Sequence, residues 1–338
     1  MQNGQAFLMI DQSHEGYQEE WLWSWFHNCC EEFKINPKQI IYVTGNLDSE
    51  MQYANWANTY FKSDRMLVVP YVHFEFVIGS NVEPKVKSVE SQNRFFPTYN
   101  DHLTFNKTKI YNCLQKRIRS HRIWFFNKLV KEDLLDCGIN SMNDFRHIDT
   151  CFNGEWMLSE EYDHIRSLNI LPLIPLENPV TDVNDKFKSG DSGEYLLMFN
   201  QQTMLESWLT VVSEASFNDG DTTCFISEKT FKPIACCHPF IIYGNKGSLQ
   251  HLRNMGYKTF SPFIDETYDT LSTWDRMEAI IIELKRIKNM SDNERREWYI
   301  SMKDILEHNK KVLINNSSSF PLAITTIANY VQTTSNRN

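Results

Sequence analysis

Short apolar runs alternate with stretches of helical periodicity through the first seventy residues, and that alternation leaves the chain few folds. Ala6-Phe7-Leu8-Met9-Ile10 has the length of a strand and ends at Asp11, with a loop over Gln12 to Gly16. Trp21, Leu22, Trp25, Phe26, Cys29, Cys30 and Phe33 then recur at helical spacing, which predicts a single apolar stripe turned to the core. Ile40-Ile41-Tyr42-Val43-Thr44 is a second strand, closed by Gly45-Asn46. A helix is expected from about Ser49 to Lys62 and a third strand from Met66 to Val72. The order βαβαβ calls for parallel strands joined by helical crossovers.

Length sets the prior at two domains. The stretch from about residue 80 to 106 is polar and turn-rich, with Pro84 and Pro97, and reads as an inter-domain crossing or loop. A strand follows at Lys109-Ile110-Tyr111-Asn112-Cys113-Leu114, then a helix from about Ser120 to Leu135. Pro179 to Glu194 reads as a loop. From Leu205 the pattern is strand, helix, strand, helix. Met277, Ile280, Ile281, Leu284 and Ile287 mark a long amphipathic helix, and two more are expected at about Asp292 to Leu313 and Leu322 to Thr333.

A net charge of −9 disfavours non-specific nucleic-acid binding, and with it a nucleic-acid acceptor. The eight cysteines include the adjacent pairs Cys29-Cys30 and Cys236-Cys237, with no Cys-x-x-Cys and no cysteine–histidine spacing that suits zinc. Reduced thiols in a cytoplasmic protein are the expectation, in the host cytoplasm if the chain is viral. No basic segment followed by an apolar run opens the sequence, and no stretch is long and apolar enough to predict a membrane span.

The most pointed motif is Phe225 to Ile234, F-I-S-E-K-T-F-K-P-I. It stands between the apolar run that begins at Trp208 and ends in Glu214-Ala215-Ser216-Phe217, and the run Pro239-Phe240-Ile241-Ile242-Tyr243-Gly244. A Glu228-Lys229 pair therefore opens a short helix between two buried strands, where open α/β sheets place ligands. Lysine suits a phosphate, and glutamate suits sugar hydroxyls. The plainer alternative has Glu228 favouring the helix dipole and Lys229 solvated. A second feature is the run Lys107, Lys109, Lys116, Arg117, Arg119, Arg122, Lys128 and Lys131, with no acid among them. It reads as a solvated helical face, as a diphosphate cradle, or as a contact for an anionic polymer. Asp219-Gly220-Asp221 has an Asp-x-Asp spacing that can hold a metal, but Asp-Gly is also a common turn pair.

The strings V-V-S-E-A-S-F, S-E-K and H-P-F-I-I-Y-G resemble the donor-site signature of the α1,3-fucosyltransferases and the related exostosin-type glycosyltransferases, with Ser227 where that family usually has Thr. I-Y-N-C-L-Q-K-R-I-R-S-H-R-I-W-F-F-N-K-L resembles the start of their donor domain, and Arg122 matches its helix-start arginine. The detailed match covers roughly forty of the 338 residues, and motifs of this size are hypotheses about a site. The resemblance implies two Rossmann-like α/β domains facing a cleft, the GT-B arrangement, with a helical C-terminus. The expected division is residues 1–105 for an acceptor-side domain and 106–318 for a sugar-nucleotide domain. A C-terminal helix over 319–338 would cross back to the first domain. It further implies an inverting transfer of a sugar, GDP-fucose-like, from a nucleotide-sugar donor to a glycan or other hydroxyl acceptor.

Arg122 and Lys229 are then the expected diphosphate ligands, with Arg117 and Arg119 beside them. Glu214, Ser227 and Glu228 are expected at the ribose or donor sugar. No metal or other cofactor is expected. The family carries a catalytic glutamate after a Thr-Gly pair; here Y-V-T-G-N-L-D-S-E puts Asn46 in that place. Glu15, in the S-H-E-G loop after the first strand, is the preferred substitute base, followed by Asp48 and Glu50, with Asp11 and Glu75 as outsiders. His14 reads as a polar loop residue or hydrogen-bond donor. A non-catalytic sugar-nucleotide or anionic-polymer binding module is the alternative.

Overall fold

Two parallel sheets, each covered by helices, make up the described residues. The computed structural model describes residues 6–16, 20–82, 96–115, 119–141, 201–217, 223–316 and 319–335. Arg117, the Asp219-Gly220-Asp221 turn and the expected loop from Pro179 lie outside them.

The first sheet has the order β1 (Leu8–Gln12), β2 (Ile40–Thr44), β3 (Leu67–Pro70), with Leu8 beside Ile40 and Ile41 beside Leu67 in parallel register. β2 is central and all five of its residues are buried, which is why it reads as a continuous apolar run rather than an alternating one. α1 (Glu20–Glu32) and α2 (Ser49–Thr59) are the crossovers. Their Leu22, Trp23, Phe26, Cys30, Tyr53 and Trp56 pack with Ile40 and Tyr42.

The single stripe expected on α1 is two stripes. Leu22, Phe26 and Cys30 face the sheet with Trp23, which is fully buried, while Trp21 (68% exposed), Trp25 (55%) and Phe33 (64%) face outward. Neighbouring helical positions lie about 100° apart, so two apolar rows one residue out of step share the same spacing. Only one of them can meet the sheet.

α3 (His73–Val82) follows β3 directly. α4 (Tyr99–Thr104) begins at Thr98, whose hydroxyl accepts from the Asp101 N–H while the Asp101 carboxylate accepts from the Thr98 N–H. α4 and the end of α3 occupy ground expected to be a crossing, and Phe74, Ile78, Phe96 and Tyr99 join the core of the second sheet. The boundary expected at residue 105 is thus bridged by shared core.

The second sheet has the order β5-β4-β6-β7, all parallel, from β4 (Lys109–Leu114), β5 (Gly138–Ser141), β6 (Ser207–Ser213) and β7 (Phe240–Tyr243). Every residue of β6 and β7 is buried. α5 (Ser120–Lys131), α6 (Gln201–Glu206), α7 (Glu228–Ala235), α8 (Ser248–Asn254) and α9 (Thr273–Lys288) flank it. α9 buries Met277, Ile280, Ile281, Leu284 and Ile287, the expected apolar face. The helix expected over 292–313 is two, α10 (Asp292–Ser301) and α11 (Lys303–Asn316), which break at the buried Met302.

The last described helix, α12 (Ser319–Ser335), lies on the first sheet. Ile327, Tyr330 and Val331 pack on Ile41, Val43 and Val69, and the Tyr330 hydroxyl donates to the Lys38 carbonyl at 3.0 Å. Among the described residues no helix is long and apolar enough to cross a membrane.

Candidate functional site

The C-terminal strand ends of the two sheets meet along one extended segment, residues 223–227, which leads into α7. The Asn245 amide donates to the Thr223 hydroxyl at 3.1 Å. The Cys224 N–H donates to the Asn46 side-chain oxygen at 3.2 Å, and the Leu47 N–H donates to the Cys224 carbonyl at 2.9 Å. Phe225 then lies against Gly16 and Gly45. A Cβ at Gly16 would stand 2.4 Å from Phe225, and one at Gly45 would stand 2.7 Å from Phe225 and from the carbonyls of Ser13 and Glu15. Only glycine lets the loops after β1 and β2 come this close. Phe74 of α3 closes the far side of Phe225, with ring centroids 5.9 Å apart edge to face, and α3 packs along α7.

Behind this seam a buried carboxylate sets the start of α7. Glu214 follows β6 and is fully buried. One of its oxygens accepts from the Ser227 N–H (3.1 Å) and the Thr230 hydroxyl (2.8 Å); the other accepts from the Ser227 hydroxyl at 2.5 Å. Ser227 is the N-cap, and its oxygen also accepts from the Lys229 N–H (3.3 Å) and the Lys229 ammonium (3.1 Å). Glu214 therefore orients the helix start from within, whereas the sequence placed it at the ligand. Glu228 and Lys229 form an ion pair at 2.9 Å on the first turn, both partly shielded. Burial pushes the Glu228 carboxyl up, but the ammoniums of Lys229 and Lys232 and the hydrogen bond from Lys229 outweigh it and hold the group at about 2. Lys229 and Lys232 line a cavity of about 40 Å³ at the ends of β4 and β6, with Asn112, Thr210 and Ser213. Lys229 on the first turn adds positive charge to the helix N-terminus, a setting that suits an anion, while Lys232 lies in the last turn.

The basic run is taken apart by the fold. Lys107 donates to the carbonyls of Leu205 (3.0 Å) and Ser207 (2.7 Å), and Lys109 to that of Asp136. Lys128 pairs with Glu278 at 2.7 Å and Glu132 at 3.3 Å. Arg122 is buried and donates to the carbonyls of Ser213 (3.2 Å) and Glu214 (3.0 Å), so it ties α5 to the end of β6. Burial and the neighbouring Arg119 lower its guanidinium to about 10, still charged at neutral pH. Arg119, at the N-cap of α5, is half-buried. Among the described residues of the run, Lys107, Lys109 and Lys128 are engaged elsewhere, and Arg119 stands beside Arg122, which reaches the end of β6.

The first sheet supplies the opposite bank. Asn46 is fully buried, and its oxygen also accepts from the Asp48 N–H while its amide donates to Gln52 at 3.1 Å. Asn46 is thus a bracket between the two sheets. Glu15 is exposed in the loop that touches Phe225. Asp48 faces His251 of α8 at 3.2 Å across the seam. Glu50 is exposed on the first turn of α2. Glu75 lies elsewhere, buried and accepting from Tyr257 (2.6 Å) and Asn316 (3.0 Å). His14 and His73 bring their rings to 5.0 Å of one another at the ends of β1 and β3. The sequence reading passed over His73, although its position one residue past an expected strand was a usable signal. Among the described residues no group of three or more His, Cys, Asp or Glu is arranged to hold a metal ion.

No family model and no curated protein matches the chain. Among solved structures, an α,α-trehalose-phosphate synthase (UDP-forming) from Burkholderia vietnamiensis superimposes over 90% of this chain at 11% identity and a TM-score of 0.40, and the chain spans 62% of that structure's length. So loose a likeness says nothing of activity.

Proposed function

We propose that this protein is a glycosyltransferase, moving a sugar from a nucleotide-sugar donor to a hydroxyl acceptor without a metal ion. The observation that carries the reading is the capped start of α7. There the buried Glu214 fixes Ser227 and Thr230, Ser227 in turn holds Lys229 beside Glu228, and Phe225, two residues before the cap, packs against the glycines of the first sheet's strand ends. In this reading Lys229, Lys232 and the helix N-terminus meet the diphosphate. Arg119 and Arg122 extend the positive field toward the end of β6, and the Glu228 carboxylate accepts hydroxyl hydrogen bonds. A leaving diphosphate develops charge as its bond to the sugar breaks, and fixed cations at that point lower the barrier by about 3 kcal/mol per donor. Inversion and a GDP-fucose-like donor follow from the resemblance in S-E-K and its flanks. The acceptor's base comes from the first sheet's strand ends.

Thermal stabilisation by a panel of nucleoside diphosphates, with and without EDTA, tests this directly. A selective shift with one base, unchanged by EDTA and lost in Lys229→Ala, is expected. No shift with any of them overturns the reading. The engagement of Asn46 in the seam favours a second reading, a binding module without a base. In that case nucleotide would bind and Glu228→Ala would change no turnover, because none would exist.

A further inference from the structure

The first sheet's side of the Phe225 seam carries a histidine pair to which the donor site gives no role. His14 stands in the loop after β1, and His73 is the first residue of α3. Their ring centroids are 5.0 Å apart with the planes at 50°. The rings of Tyr71 and Phe74 meet His73 edge to face at 6.2 and 5.4 Å. The His14 loop is held by Asp11, whose carboxylate accepts from the Ser13 N–H at 2.9 Å, and the Ser13 hydroxyl lies 3.4 Å from His14 Nδ1. Both histidines border the same Phe225 seam, one through the Ser13–Gly16 loop and the other through Phe74.

Resting on the glycosyl-transfer reading of this site, we propose that His73, with His14 as its positioning partner, takes the proton of the acceptor hydroxyl. The competing groups are less suited to the task. Asn46 has no basicity, Asp48 is turned to His251, and Glu15 is exposed to water. His73 is half-buried, and the charged groups that face it are His14 and Asp11. Burial first and His14 second lower its pKa, against a smaller opposing pull from Asp11, so the ring is an unprotonated base at neutral pH.

In the step, the acceptor O–H bond breaks and its proton passes to an imidazole nitrogen of His73. The oxygen's electron pair forms the new bond to the anomeric carbon. The bond from that carbon to the diphosphate oxygen breaks, and its pair leaves on the diphosphate, beside Lys229. The imidazolium, stabilised by Asp11, then returns its proton to water.

The test uses the full chain, UDP- and GDP-sugars as donors, and water as the acceptor. Melting shifts with UDP and GDP are read beside nucleoside-diphosphate release, from roughly pH 5 to 8, the imidazole range. His73→Gln should keep the nucleotide shift, lose turnover by about 100-fold or more, and lose the fall in rate on the acid side. His14→Gln should lose less and move that acid limb to higher pH, because His14 lowers the pKa of its partner. His73→Asn guards against a local packing defect in the glutamine variant and should behave alike. A His73→Gln protein that binds nucleotide and turns over like the wild type overturns the proposal, as does an acid limb that survives there and vanishes in Glu15→Gln. Wild-type protein that binds nucleotide but releases no product at any pH also overturns it. Absence of any nucleotide shift in the wild type sinks the glycosyl-transfer reading itself, a result the variants do not mimic.

Discussion

The two banks of the seam are built on opposite principles. On the second sheet, Glu214, Ser227, Thr230 and Lys229 share one connected set of hydrogen bonds, with Glu214 fully buried. On the first sheet, Glu15 and His14 are exposed, and the contacts there come from glycine packing, from Asn46 and from short local hydrogen bonds such as that from the Ser13 N–H to Asp11. A buried network fixes geometry, because each unmet polar group in it is costly. Exposed loops tolerate change and are where partners differ. In the proposed reaction the first property suits a donor that is always the same, and the second suits an acceptor.

The sharpest way to break this contrast is Glu214→Ala. It strands the Ser227 N–H and two hydroxyls in the interior, and a loss of about 3–5 kcal/mol in urea unfolding is expected. A loss below about 1 kcal/mol means that the helix start is held by something else. Gly16→Ala should cost about 1–3 kcal/mol by pressing a methyl group into Phe225, and Phe225→Ala in the same chain should relieve the clash. An additive pair of losses would contradict the close approach.

A smaller effect lies at acid pH. The Glu228 carboxyl sits at about 2 in the folded chain and near 4.3 when unfolded. Its stabilising contribution is thus present above the unfolded value and is lost as pH falls toward 2. Acid titrations of wild type and Glu228→Gln should run parallel above that window and converge within it as pH falls. Parallel curves throughout would mean that Lys229 and Lys232 do not hold the carboxylate. Least of all, Glu15→Gln and Trp25→Ser should each change stability by no more than about 0.5 kcal/mol, since both residues face outward. A large loss in either would show that the first bank is as tightly built as the second.

The sequence made the second bank readable and the first one only in outline. β4 was expected at Lys109 to Leu114 and spans those residues, and the Glu228-Lys229 helix start lies where the two flanking apolar runs put it. These features are local: a strand run, a cap and a short helix. The role of Glu214 was missed because its partners, Ser227 and Thr230, are 13 and 16 residues away and a strand-end acid looks alike whether it faces in or out. The basic run was left open among three readings for a similar reason. Charge density along the chain says nothing of which ammonium will find a carbonyl, as Lys107 finds those of Leu205 and Ser207. Nor could the sequence bring His14 to His73, a pairing that depends on two strand ends lying side by side.

The central claim is that α7 begins an anion site for a nucleoside diphosphate. Titration calorimetry of UDP and GDP into the wild type and into Lys229→Ala measures it most directly. The account predicts that one of the two binds, and that Lys229→Ala weakens it by about tenfold or more while the protein without ligand still unfolds cooperatively. Equal affinity in both proteins, or binding of neither nucleotide, would contradict it.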